Sequence, residues 1–309
     1  MDVLGDLLDR SRARGATFGR ITLAPPWGVT FETSLPLAVH AVLGGEAWIS
    51  AGGSSQRLLA GDLALVRGPG ASQLAAGQQP RLVVLEEAVA RFGAGGNEIV
   101  FPGERTAELV CGAYSFSGDL CAAVLDTLPP VVCLRAGADS VALRPLLMLL
   151  GDELQHQRPG QQVVLDRFLD LILVQSLRAH YARPESRPPR WYLALDDGPV
   201  GAALRAMHDQ PAKTWSVAEL AAIAGLSRAA FARRFAELVG DPPLTYLTGW
   251  RIKLARELLR EPGATLAQVA SEVGYANEYA FSAAFKRHTG DPPGRWRTRQ
   301  SAQLGKPLT

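Results

Sequence analysis

The chain has 309 residues, of which 47% are hydrophobic and 20% charged, with a formal net charge of +2. Such a composition excludes an intrinsically disordered chain, and a length prior of about 150 residues per domain predicts two domains, each able to bury a core. Residues 1–182 hold 14 Lys and Arg against 18 Asp and Glu while residues 183–309 hold 18 against 12, so only the second part is expected to meet a polyanion.

In chain order, Met1 to Arg12 carries Asp2, Asp6 and Asp9 among its apolar residues, unlike the basic start and apolar run of a secretion signal. No stretch reaches the roughly 18 uninterrupted apolar residues of a membrane span. A cytoplasmic protein without membrane contact is therefore expected. Short strands are predicted at Phe18 to Leu23, Leu35 to Leu43, Glu46 to Ser50, Leu63 to Arg67, Arg81 to Leu85 and Glu108 to Phe116, broken by Gly44-Gly45, Gly52-Gly53 and Gly68-Pro69-Gly70. Turns at this spacing predict a small β-barrel or sandwich. Trp27, Phe31 and Trp48 are expected to border its interior. Cys111, Cys121 and Cys133 form no C-x-x-C pair and are odd in number, which fits a reducing compartment.

After Pro130 the period changes. Val141 to Gln157 and Gln161 to Tyr181 carry apolar residues at helical spacing, with Arg158-Pro159-Gly160 between them, and predict a helical hairpin. Its stripes are Leu146, Leu147, Leu150 and Leu154 against Leu165, Phe168, Leu169 and Ile172, with Leu171 and Val174 left over for a homodimer surface. His156 and His180 are expected on the helix surface. The proline-rich run Arg183 to Arg190 reads as a semi-rigid linker.

From Gly198 onward the pattern is helical and internally repeated. Ala230, Phe231, Phe235, Gly240, Asp241, Pro242 and Pro243 recur fifty residues later as Ala280, Phe281, Phe285, Gly290, Asp291, Pro292 and Pro293. Each copy opens on a capping box, Ser216-x-x-Glu219 or Thr265-x-x-Gln268. A short apolar helix follows, then a glycine (Gly225 or Gly274), then a second helix capped by Ser227 or Asn277. Helix, glycine turn, helix is the helix-turn-helix plan. In the second helix of copy one, Phe231, Phe235 and Leu238 face inward, leaving Arg228, Ala229, Ala232, Arg233 and Ala236 outward. In copy two, Phe281 and Phe285 face inward, leaving Glu278, Tyr279, Ser282, Ala283 and Lys286 outward. Slim residues with a few long donors suit a helix entering a major groove. Between the copies, Leu244 to Arg260 reads as one amphipathic helix whose Arg251, Lys253 and Arg256 are candidate phosphate contacts.

The segment from Gly274-Tyr275-Ala276-Asn277-Glu278-Tyr279 through Phe285-Lys286-Arg287 resembles the signature of the AraC/XylS family of transcription regulators, and the resemblance runs from about Pro199 to Arg299. It implies a partner in double-stranded DNA, with RNA polymerase a candidate partner. It also implies base-contacting positions at Ala229, Arg233, Tyr279 and Ala283. With their neighbours these make the expected DNA-binding set Arg228, Ala229, Arg233, Glu278, Tyr279, Ser282, Ala283, Lys286 and Arg287. Two alanines at the base-contacting positions leave readout by the second unit to Tyr279 and Ser282, with Lys286 and Arg287 on phosphates.

The first part is similar to cupin sensor domains, with the segment from Gly61 to Val66 and on through Pro69 and Gly70 following the second cupin motif. Gln73 stands where metal-binding cupins place histidine, and His40 lacks a histidine two residues on. No metal and no cofactor are therefore expected, and His40 is read as an ordinary strand residue. Cys111 resembles a cysteine position of cupin regulators that respond to reactive chlorine. It is the candidate redox residue, although Leu109 and Val110 offer no basic group to activate it.

The expected architecture is α+β: a cupin-like β-barrel with a helical hairpin (1–182), a linker (183–197), an all-α domain with two helix-turn-helix units (198–300) and a tail (301–309). The expected function is sequence-specific DNA binding under control of a small-molecule effector or an oxidant sensed by the barrel, in a homodimer without enzyme activity. The alternative is a cupin-type enzyme fused to a DNA-binding domain.

Overall fold

The computed structural model describes residues 3–5, 17–95, 97–114, 122–156 and 158–304. Cys121, Lys306 and most of the acidic N-terminal run lie outside the described residues. The chain divides into two compact units between Arg187 and Pro188, and residues 3–5 and 122–123 go with the second.

Among the described residues the first unit has eleven strands: β1 (Thr17–Leu23), β2 (Trp27–Thr33), β3 (Leu37–Ala51), β4 (Ser54–Leu59), β5 (Leu63–Arg67), β6 (Gly70–Ala75), β7 (Arg81–Val84), β8 (Gly93–Gly95), β9 (Glu98–Val100), β10 (Ala107–Tyr114) and β11 (Val131–Leu134). Helix α1 (Leu85–Phe92) follows β7. The first half of β3 pairs antiparallel with β10 and β5, and its second half with β4 and β6. Strand β3 is thus the shared wall of two sheets, β8-β9-β1-β10-β3-β5-β11 and β4-β3-β6-β2-β7.

This corrects the reading of Gly44-Gly45 as a turn between two strands. The strand continues, and the register to β10 shifts between Glu108 and Leu109. Gly45 sits at φ +72°, and a Cβ there would lie 1.8 Å from the Thr106 carbonyl oxygen. Only glycine fits this bend, which re-aims the strand from one sheet to the other. Apolar runs such as Leu37 to Val42 are buried throughout rather than alternating. Both faces are covered there: one lines the barrel, and Gly151 of the hairpin would bring a Cβ within 2.8 Å of Leu43 on β3.

Buried Asp62 fastens the β4–β5 turn to the segment after β11. Its carboxylate accepts from the amides of Leu59 (2.9 Å) and Ala136 (2.8 Å) and from the Arg135 guanidinium at 2.8 Å. The hairpin consists of α2 (Leu143–Gln155) and α3 (Gln161–Tyr181). Leu147 and Leu150 are buried in one helix, and Leu165, Leu169 and Ile172 in the other. The Tyr114 hydroxyl donates to the Leu169 carbonyl at 3.1 Å, tying the sheet to α3. His156 is exposed as expected, but His180 is buried and stacks on Tyr181 at 5.5 Å, so it belongs to the core.

The second unit is helical: α4 (Arg190–Leu193), α5 (Gly198–Asp209), α6 (Val217–Ile223), α7 (Arg228–Val239), α8 (Pro243–Arg260), α9 (Leu266–Glu272), α10 (Glu278–Thr289) and α11 (Pro293–Leu304). Its core is aromatic. Phe231 and Phe235 lie 5.6 Å apart, Phe281 and Phe285 5.5 Å, and Phe285 and Trp296 5.8 Å between ring centroids. Each such ring taken out of water stabilises the fold by about 1.5–3 kcal/mol.

Candidate nucleic-acid interface

Each helix-turn-helix starts with two side chains that satisfy amides the helix itself leaves unpaired. In the first unit Ser216 Oγ accepts from the Glu219 amide at 3.1 Å, and the Ser216 amide donates back to Glu219 Oε2 at 2.9 Å. Those hydrogen bonds hold the Glu219 carboxyl below the usual glutamate range, with Lys213 adding to the effect. In the second unit Thr265 and Gln268 repeat the arrangement at 3.2 and 3.0 Å. The turns pass through Gly225 at φ +65° and Gly274 at φ +77°. A Cβ on Gly274 would lie 2.4 Å from the Ala212 carbonyl oxygen, so the second turn tolerates nothing larger.

Helices α7 and α10 then begin on Ser227 and Asn277, whose side chains accept from the amides of Ala230 (3.3 Å) and Ala280 (2.9 Å). In α7 the buried residues are Phe231, Phe235 and Val239. Leu238, expected inward, is only half-buried, because the i, i+4 step from Phe235 lands on Val239. Arg228, Ala229 and Arg233 are exposed on the other side. Arg233 approaches Glu237 only at 4.0 Å and its side chain stays open to solvent. In α10 Tyr279 is 79% exposed. Ala283, Lys286 and Arg287 are exposed too, while Glu278 and Ser282 are half-buried. Glu278 stands in the first turn of α10, and Lys286 and Arg287 in its last, the placement that the helix dipole favours.

Other cations of this unit are engaged internally. Arg234 forms a two-point ion pair with Asp197, at 3.0 and 2.5 Å, and Asp197 also caps α5 by accepting from the Val200 amide. That pairing depresses the Asp197 carboxyl. Arg251, read from sequence as a phosphate contact, donates instead to the carbonyls of Pro211 (2.7 Å) and Lys213 (2.8 Å). Lys253 is half-buried, and burial lowers its pKa. Arg256 lies 6.0 Å from the Trp296 ring. Nothing in the local sequence around Arg251 marks it as a clamp, since its partners lie about forty positions earlier.

Comparison with known proteins agrees with this construction. A cupin family model matches residues 2–182 and a helix-turn-helix domain model residues 220–299. A putative AraC-like transcription regulator of Streptomyces antibioticus is 35% identical over 307 residues, spanning 96% of this chain and 98% of that one. The chain belongs to the AraC-like family of transcription regulators. Within that family, the HTH-type transcriptional regulator AlkR of Acinetobacter baylyi is 27% identical over 96% of this chain and 99% of its own length. A crystal structure of the DNA-binding domain of AdpA in complex with a target DNA aligns at 29% identity over 36% of this chain and 98% of that chain, with a TM-score of 0.34. This AraC-like regulator therefore combines a helix-turn-helix DNA-binding domain with a cupin N-terminal domain.

The cupin domain of the regulator holds a half-open cavity of about 620 Å³. Phe31 lines it, but Trp27 packs instead against Phe92 and Phe101, and Trp48 is half-buried outside the lining. Cys111 on β10 sits directly opposite His40 on β3, and both face the cavity. His40, on β3, is buried, stacks on Phe31 at 4.8 Å and lies 3.4 Å from Ser72 Oγ, and desolvation lowers its pKa to about 4. Burial likewise pushes the Cys111 thiol far above its usual range and the Cys133 thiol up to about 11. Among the described residues no three of His, Cys, Asp and Glu are gathered as metal ligands. Gln73 is half-buried on β6. No helix among the described residues is long and apolar enough to cross a membrane.

Proposed function

We propose that this regulator reads duplex DNA with α7 and α10, through Arg228, Ala229 and Arg233 in the first unit and Glu278, Tyr279, Ser282, Ala283, Lys286 and Arg287 in the second. The observation that carries the reading is that both helices place slim and basic residues on the side opposite a buried phenylalanine pair. Alanines allow close approach to the groove, Arg233 reaches a guanine edge, and Lys286 and Arg287 neutralise phosphates. Titration of the full-length chain against operator and random duplex at several salt concentrations tests this. A steep fall of affinity with salt is expected, because phosphate contacts release counterions. An affinity indifferent to salt overturns it.

The barrel is the sensing part, answering to a small-molecule effector or an oxidant, and its connection to the DNA-binding domain runs through residues 183–197, of which 188–197 already belong to the second compact unit. The cavity supports the first signal and the position of Cys111 on its wall the second. Binding rather than catalysis is the proposed task of the cavity, because burial holds both His40 and Cys111 uncharged. A homodimer through α2 and α3 is supported by the exposed Met148, Leu149, Val163 and Leu171 on that hairpin. Two tethered DNA-binding domains gain effective concentration on paired sites. Sedimentation at micromolar concentration is expected to show a dimer that Leu171→Asp weakens. RNA polymerase is a candidate further partner, and the cytoplasm the compartment, under this proposal.

A further inference from the structure

We propose that the barrel cavity takes a neutral, predominantly apolar small molecule carrying one hydroxyl, and turns anions away. This rests on the reading of the barrel as the effector site and names the chemistry of that effector. Its volume of about 620 Å³ falls within the range of small-molecule pockets.

Most of the wall is hydrocarbon, from Phe18, Ile21, Phe31, Leu35 and Ile99. The described lining residues include no lysine or arginine, and the carboxylates among them are Glu32 and Glu98. Arg20, between the lining residues Gly19 and Ile21, points to the opposite side of β1, where it pairs with Glu108. An anion entering here loses its water and finds no cation among the described lining residues to replace the solvent.

One group on the wall asks for a polar partner. The His40 ring is fully buried and uncharged, and its Nδ1 has no hydrogen bond within the protein. Ser72 stands 3.4 Å from the other ring nitrogen. A ligand hydroxyl both donates and accepts, so it completes the ring in either tautomer.

The test uses full-length protein and N-phenyl-1-naphthylamine, a neutral fluorophore that brightens in apolar surroundings. Three competitors on one scaffold displace it: naphthalene, 2-naphthol and 2-naphthoate. The expected order is 2-naphthol first, with 2-naphthoate weaker by roughly tenfold or more, a difference of about 1.4 kcal/mol. His40→Phe is expected to abolish the advantage of 2-naphthol over naphthalene. The double variant Glu32→Lys/Glu98→Lys, at one exposed and one half-buried lining position, is expected to recover 2-naphthoate binding, and it stays informative even where His40→Phe does not fold. Failure of the fluorophore to bind, or 2-naphthoate binding as tightly as 2-naphthol, overturns the proposal. Operator affinity is measured in the same samples. Selective binding that leaves operator affinity unmoved supports the ligand class and instead overturns the reading of the barrel as the sensor.

Discussion

Helices α7 and α10 are twelve residues each, start on a side-chain cap and end on a glycine at φ +100° and +82°. Both bury two phenylalanines one turn apart. Their outer faces do not match. The first presents Arg228 and Arg233 around Ala229, whereas the second opens with Glu278 and Tyr279 and keeps its cations for the last turn. The lesson is that packing and reading are separable in a duplicated unit. Inward positions are held by the same core geometry in both copies, while the exposed outward positions are free of that constraint and differ. On the proposed reading, the first unit makes hydrogen-bonded base readout, and the second apolar and phosphate contact.

The hardest test of the shared half of this comparison is to empty each core in turn. Phe231→Ala and Phe281→Ala are each expected to destabilise the helical domain by about 3–5 kcal/mol, from lost burial and the cavity left behind. Urea unfolding of the full-length chain measures both. A large inequality between them shows that the two cores are not equivalent.

On the reading side the copies are expected to diverge. Arg233→Ala is expected to cost roughly 1–3 kcal/mol at the operator and to relax preference at one base pair, while Lys286→Ala weakens operator and random duplex alike. Competition binding on the two duplexes separates these outcomes, and equal behaviour of the variants places the reading helix wrongly.

Smaller effects distinguish the capping boxes. Ser216→Ala and Thr265→Ala are each expected to cost about 1 kcal/mol of stability in thermal or urea unfolding. The smallest expected effect is a pH dependence confined to the first copy. Glu219 has a depressed folded-state pKa, so the stability it contributes is present above its unfolded value and lost as pH falls through the folded one. Gln268 does not titrate. Acid titration of unfolding is expected to show this step removed by Glu219→Gln and unaffected by Thr265→Ala.

The helical domain was the more legible of the two in sequence. Caps, turn glycines and 3.6-residue periodicity are signals within a few positions of the structure they specify, and the boundaries of α6, α7, α9 and α10 follow from them. The barrel was legible in part: strands at β1, β5, β7 and β10 follow from local patterns, whereas β2, β4 and β6 were not read. Strand β4 buries little besides Leu58, and β6 is half polar, so neither carries a strong local signal. Their strand state comes from hydrogen bonding to β3 and β2, neighbours that turns and distant segments bring together.

The sequence by itself determined the order of a β-rich part and a duplicated helical part, the caps and turns of both helix-turn-helix units, and which faces of their second helices lie outward. Only the tertiary structure decided that β3 runs unbroken through Gly45, that His180 is core, that Arg251 clamps remote carbonyls instead of offering itself to phosphate, and that His40 and Cys111 share a cavity wall. The physical reason is range. Capping and periodicity act between residues three or four apart, while sheet pairing, burial and long-range hydrogen bonds join partners that no local pattern connects.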